Sequence, residues 1–183
     1  FTGYISEGTS FGRPACNEII SLMESSQGVL WVGTWYGGLA RFNKETGQFR
    51  YYFGEGDTLT IPRIRTLFQR TANSFYLGSD DGLYTFNTTT GECLPTDDEQ
   101  NKESIYACYQ DREGGIWIGT YFSGVSYLSP KHKDIEWYYP NGTENSLSGN
   151  VISQFCEDPD GNIWIATEDG GLNLFDPRTK KFK

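Results

Sequence analysis

Residues 28–49 read GVLWVGTWYGGLARFNKETGQF, and nearly the same string recurs three more times. It returns as NSFYLGSDDGLYTFNTTTGEC from Asn73, as GGIWIGTYFSGVSYLSPKHKDI from Gly114 and as GNIWIATEDGGLNLFDPRTKKF from Gly161. The aromatic anchors Trp31, Tyr76, Trp117 and Trp164 stand 45, 41 and 47 residues apart. Self-similarity at such a period marks a repeat architecture, in which each unit buries its apolar faces against its neighbours.

Each unit reads as four strands. Apolar runs open them at Ile19–Met23, Ile64–Phe68, Ile105–Tyr109 and Val151–Cys156. Polar turns such as QDREGG and EDPDGN follow, with Asp starting the turn and Gly at the positive-φ position. The second strand (IWIGT, IWIAT) is almost continuous in β-branched and aromatic residues, as a strand covered on both faces should be. An alternating third strand closes on NKETGQ, NTTTGE or DPRTKK, and a fourth carries FRYY at Phe49–Tyr52 or IEWYY at Ile135–Tyr139.

Four short antiparallel strands every 40 to 47 residues predict an all-β fold of β-propeller blades. The repeats span approximately 17–53, 62–95, 103–139 and 150–183, preceded by an outer strand at Phe1–Ile5. Trp31, Trp117 and Trp164 are then read as blade-to-blade packing residues. The outer strand either closes a four-bladed ring or belongs to a larger propeller of about seven blades, and the larger array is the favoured reading.

Composition narrows the function. Net charge is −9 with a sequence pI near 4.6, and no Lys/Arg stripe offsets it, which argues against nucleic acid. No apolar run reaches the length of a membrane helix, so direct membrane insertion is not expected. Cys16, Cys93, Cys108 and Cys156 fall at no metal-ligand spacing and read as small buried hydrophobes, with His132 the single histidine, in a hairpin turn. Neither a metal nor a cofactor is expected: Asp158–Asn162 (DPDGN) echoes a calcium loop but lacks the distal Glu.

The repeats resemble the two-component regulator propeller motif. DPDGNIWIATEDGGLNLFDPRTKKF has its Asp-x-x-Gly turn, Leu/Ile-Trp-Ile-Gly-Thr strand, Gly-Gly-Leu and Phe-Asp-Pro-x-Thr turn, and NGTENSLSGNVISQF resembles its inter-blade connection. The second repeat departs from it, with Tyr76 for Trp, Ser79 for Thr and one residue missing before Gly82. The resemblance implies the periplasmic part of a hybrid two-component sensor histidine kinase answering to oligosaccharides, common in Gram-negative gut bacteria. It implies as partners the remaining blades and downstream sensor domains.

In a propeller the loop between second and third strands shares a face with the connection into the next blade. Trp35-Tyr36 and Tyr121-Phe122 would then alternate around the ring with Asp80-Asp81 and Glu168-Asp169. Rings stack on sugar C–H surfaces and carboxylates accept from hydroxyls, so such a face suits a neutral, hydroxylated ligand. Arg63, Asn17 and Asn150 join it from the connections. The competing use of the aromatics is packing, against a following domain or in the channel mouth. A structural or protein-binding propeller is one alternative, and a sialidase-like glycosidase is another. The paired carboxyls, Arg cluster and Ser/His/Asp set that hydrolysis would need are missing, so no catalytic residue is expected. Open lateral faces predict self-association.

Overall fold

A computed structural model describes residues 3–4, 16–53, 59–61, 63–96, 102–130 and 135–183. His132 and most of the expected strand Phe1–Ile5 lie outside them. Four four-stranded antiparallel sheets form the described fold. The first blade is β1 (Ile19–Glu24), β2 (Leu30–Thr34), β3 (Leu39–Asn43) and β4 (Gln48–Tyr52), and the second β5 (Thr66–Thr71), β6 (Ser74–Ser79), β7 (Gly82–Asn87) and β8 (Cys93–Pro95). The third is β9 (Ile105–Gln110), β10 (Ile116–Thr120), β11 (Val125–Leu128) and β12 (Ile135–Tyr138). The fourth is β13 (Ile152–Glu157), β14 (Ile163–Thr167), β15 (Gly171–Asp176) and β16 (Lys181–Phe182). The chain divides into two compact units, Phe1–Lys102 and Glu103–Lys183, each holding two blades.

The second-strand Trp organises each unit. Trp31 on β2 is 3% exposed, its ring meeting Phe75 edge-on at 5.0 Å and Phe86 at 5.6 Å, both from the second blade. Trp117 on β10 is fully buried, 5.3 Å from Phe175 of the fourth blade and 4.5 Å from Tyr127 of its own. Blade-to-blade packing is thus the role of these two rings. Trp164 is only half-buried, in line with Leu174 and the exposed Cys156 across β14. Its sheet turns the opposite face, Ile163, Ile165 and Phe175, into the unit's core.

The glycine in the Trp-x-Gly-Thr stretch has a steric cause. A Cβ on Gly33 would sit 2.5 Å from the Ile64 carbonyl oxygen, and one on Gly119 would sit 2.5 Å from Ile152 Cγ2. The chain passes that close where it enters the next blade, at Ile64, or runs in its first strand, at Ile152. Ile64 itself is a fully buried entry residue rather than a strand residue, so the expected strand starts two residues late, at Thr66. Three cysteines part from the reading of all four as buried: Cys156 is exposed and Cys16 and Cys108 are half-buried, while Cys93 is buried and burial pushes its thiol up to about 12.

Turn chemistry follows the sequence closely. Asp111 Oδ1 accepts the Gly115 N–H at 2.7 Å while Oδ2 accepts the Trp117 indole N–H at 2.9 Å, so one carboxylate closes the turn and fixes the Trp. In DPDGN, Asp158 accepts from the backbone N–H groups of Asp160 and Asn162 and from the Asn162 side chain. Those bonds, the side chain of Asn162 first, hold its carboxyl below the usual range.

These contacts set a stability ranking. Trp117→Ala is expected to destabilise its unit by about 3–5 kcal/mol, the usual cost of emptying a fully buried Trp site. Trp164→Ala should cost less than half as much. Denaturant unfolding monitored by near-UV circular dichroism would show the two variants with equal midpoints if the rings were equivalent.

Candidate functional site

The candidate loops are built by one repeated device. Thr34 Oγ1 donates to the Gly38 carbonyl at 2.9 Å and accepts the Gly37 N–H at 2.8 Å, pinning both sides of the β2–β3 loop. Thr120 and Thr167 repeat the pair of bonds on Gly124 and Ser123, and on Gly171 and Gly170. In the divergent second repeat Ser79 bonds Gly82 and Asp81 in the same way across a loop one residue shorter. All four hydroxyl residues are buried, so the residues between them are displayed from a rigid base.

In the first unit the displayed residues converge. The Arg63 N–H donates to the Trp35 carbonyl at 3.1 Å and the Ile64 N–H to that of Thr34 at 3.0 Å, so the β2–β3 loop lies beside the connection into β5, as expected. Arg63 sits at φ 51°, a left-handed conformation costing a non-glycine residue roughly 1 kcal/mol. Its guanidinium lies 4.5 Å from the Trp35 ring centre and donates to Asp80 Oδ2 at 2.6 Å. Arg65 donates to the other Asp80 oxygen and lies 5.4 Å from the same ring. Tyr36 meets Trp35 edge-on and remains 61% exposed. Trp35 is therefore a half-buried platform under two guanidinium groups, and Tyr36 is the open ring. Asp81 is exposed beside them.

Electrostatics favour this arrangement. Burial alone would raise the Asp80 carboxyl, yet hydrogen bonds from Arg65 and Arg63 outweigh it and hold the group below its ordinary value. Hydrogen bonding to Arg63, and then to Trp35, likewise lowers the Tyr36 phenol.

The second unit uses other chemistry in the same loops. Tyr121 stacks on Tyr106 at 4.8 Å and meets Phe122 edge-on at 4.2 Å, and Phe122 is 71% exposed. Asp169 accepts the backbone N–H groups of Asn150 and Val151 at 3.0 and 3.1 Å, which hold its carboxyl low. The Asn150 carbonyl accepts from Gly124. Asp169 thus tethers the inter-blade connection, while Glu168 is exposed. Asn17 lies just ahead of β1, exposed, and Asn150 acts through its backbone.

Sequence reasoning missed Arg65 and Tyr106. They hold one register position, each a residue ahead of the partner of the second-strand glycine, Thr66 opposite Gly78 and Ala107 opposite Gly119. Comparing first strands at that offset, where Arg and Tyr stand out, would have found them. Asp80→Asn should cost on the order of 1 kcal/mol at neutral pH, since it removes a partly exposed double ion pair. A depressed carboxyl stabilises above its unfolded value near ~3.9 and loses that contribution as pH falls through its folded value, so the deficit should vanish in acid. A pH series of unfolding midpoints checks it; a deficit that does not shrink as the pH is lowered through the acid range would assign the effect to packing.

No curated protein matches this chain. Among solved structures, it resembles the extracellular domain of a one component system from B. thetaiotaomicron, at 23% identity and TM-score 0.72 over 87% of this chain and 21% of that one. It also resembles the extracellular domain of a hybrid two component system from B. thetaiotaomicron, at 17% identity and TM-score 0.78 over 99% of this chain and 22% of that one. The WD40 β-propeller domain of Doa1 matches at 14% identity and TM-score 0.65 over 87% of this chain and 51% of that one. The chain thus spans about a fifth of the length of the two B. thetaiotaomicron domains. These likenesses place the fold among β-propellers. The two component regulator propeller profile matches residues 14–36, 99–122 and 146–169, passing over the divergent second repeat. Those three segments match the two-component regulator propeller repeat.

Proposed function

We propose that this chain is a ligand-sensing or scaffolding part of the periplasmic domain of a hybrid two-component sensor histidine kinase, and that it responds to oligosaccharides. The observation that carries the reading is the display of Tyr36 and Phe122. Each is a largely exposed ring on a loop locked by a buried hydroxyl, and each loop lies beside an inter-blade connection. Rigid, open rings bind at little entropic cost, and carbohydrate C–H faces are their usual complement. Two similar structures are extracellular domains of a one-component and a hybrid two-component system, which supports the location and the sensor role.

A glycosidase reading has less behind it. The carboxylate of Asp80 is held by two arginines and that of Asp169 by two backbone N–H groups, so neither resembles a raised-pKa acid poised to protonate a leaving group.

Calorimetric titration of a panel of neutral oligosaccharides should find a binder. Tyr36→Ala or Phe122→Ala should weaken it by about fivefold or more, each ring contributing about 1 kcal/mol beyond its buried area. Trp35→Ala is the poorer probe, because it also removes the platform under Arg63 and Arg65. A panel member that binds both ring variants as tightly as the parent would show these rings to be packing residues.

A further inference from the structure

The outer hairpin of the first blade holds a feature that the loop face does not explain. Arg41 on β3 and Arg50 on β4 are directly opposite each other, on one face of the sheet. Like charges in that position are destabilising. Both residues are exposed, and neither has a carboxylate partner among the described residues. Arg50 instead lies 5.2 Å over the Tyr52 ring. The chain has 24 acidic residues against 15 Lys and Arg, so a facing arginine pair without an acid is not what its composition would supply by default.

The pair borders an open groove of about 710 Å³, in which Asn43 and Gln48, the next opposed pair on that face of the hairpin, stand beside the arginines. The Asn43 side-chain oxygen already accepts the Glu45 and Thr46 N–H groups, so its amide has its NH2 left to offer, a donor. Arg41 also borders a second cavity of about 170 Å³ in the same unit, where Asn73, Thr88 and Thr89 of the second blade add further amide and hydroxyl groups. Among the described residues, no carboxylate lines either space.

We infer that this groove is an oxyanion site: it takes the sulfate, carboxylate or phosphate group of a hydroxylated ligand between the guanidinium groups of Arg41 and Arg50. Guanidinium forks match oxyanions bidentately, which turns the repulsion between the two arginines into a shared contact. Amide and hydroxyl groups around them suit the hydroxyls of such a ligand. The chain's overall negative charge opposes any diffuse attraction of anions, so binding has to come from this local pair. The site lies on the outer hairpin, apart from the Tyr36 loop, and does not depend on what that loop binds.

The test is calorimetric titration at low ionic strength with a sulfated disaccharide, its unsulfated counterpart, a disaccharide bearing a uronic acid, inorganic sulfate and inorganic phosphate. Two double variants accompany the parent: Arg41→Gln/Arg50→Gln, and Arg112→Gln/Arg178→Gln, which removes the same charge elsewhere. Cooperative unfolding transitions, with no fall in midpoint for Arg41→Gln/Arg50→Gln, establish that both fold. The parent should bind at least one anionic probe about tenfold or more tightly than the unsulfated sugar, and Arg41→Gln/Arg50→Gln should lose that advantage while the control pair keeps it. Inorganic sulfate or phosphate bound as well as the anionic sugars, and lost in the same variant, would support the site and assign recognition to the oxyanion alone. No preference for any anionic probe, or an equal loss in the control variant, would overturn the inference.

Discussion

A tryptophan ring held between two small sheets is the contact on which the rest depends. A four-stranded blade has two apolar faces and no helix to cover them, so it becomes stable only when another blade lies against it. Trp31 meets Phe75 and Phe86, and Trp117 meets Phe175, through edge-to-face geometries that fix where the neighbouring sheet sits. Close approach next to these rings leaves room only for glycine at Gly33 and Gly119. The same position in the fourth blade is Ala166, on the half-exposed face with Trp164, where no described blade presses on it.

From that packing the display of the loops follows. Once the second strand is fixed, the hydroxyl at its end, Thr34, Ser79, Thr120 or Thr167, is buried and can bridge both sides of the loop that follows. What stands in the loop is then free to differ between blades. The first unit fills the space with an Arg–Asp–Trp cluster, the second with stacked tyrosines and a carboxylate tether. A scaffold that holds loop position constant while loop chemistry changes is well suited to recognition.

Because strand identity and turn chemistry recur with the repeat, they and the four described blades were legible in the sequence. Trp31 and Trp117 could be assigned to packing for the same reason. The partners of the site residues could not be read in this way. Nothing in the spacing of Trp35, Arg63 and Asp80 says that Arg63 takes a left-handed backbone and lies across Trp35 rather than pointing to solvent. Asp169 looked like a free acceptor, but its oxygens are taken by backbone N–H groups that have no sequence signature. Cys156 looked buried within an apolar run because strand alternation cannot tell which face of a blade has a neighbour.

Blade-on-blade contact at the second-strand aromatic holds each unit together. A double-mutant cycle across Trp31 and Phe86, using Trp31→Leu and Phe86→Leu with denaturant unfolding, measures that contact directly. A coupling of about 1 kcal/mol is expected, the range found for edge-to-face ring pairs. Additive effects, within the ~0.3–0.5 kcal/mol typical of independent sites, would contradict it.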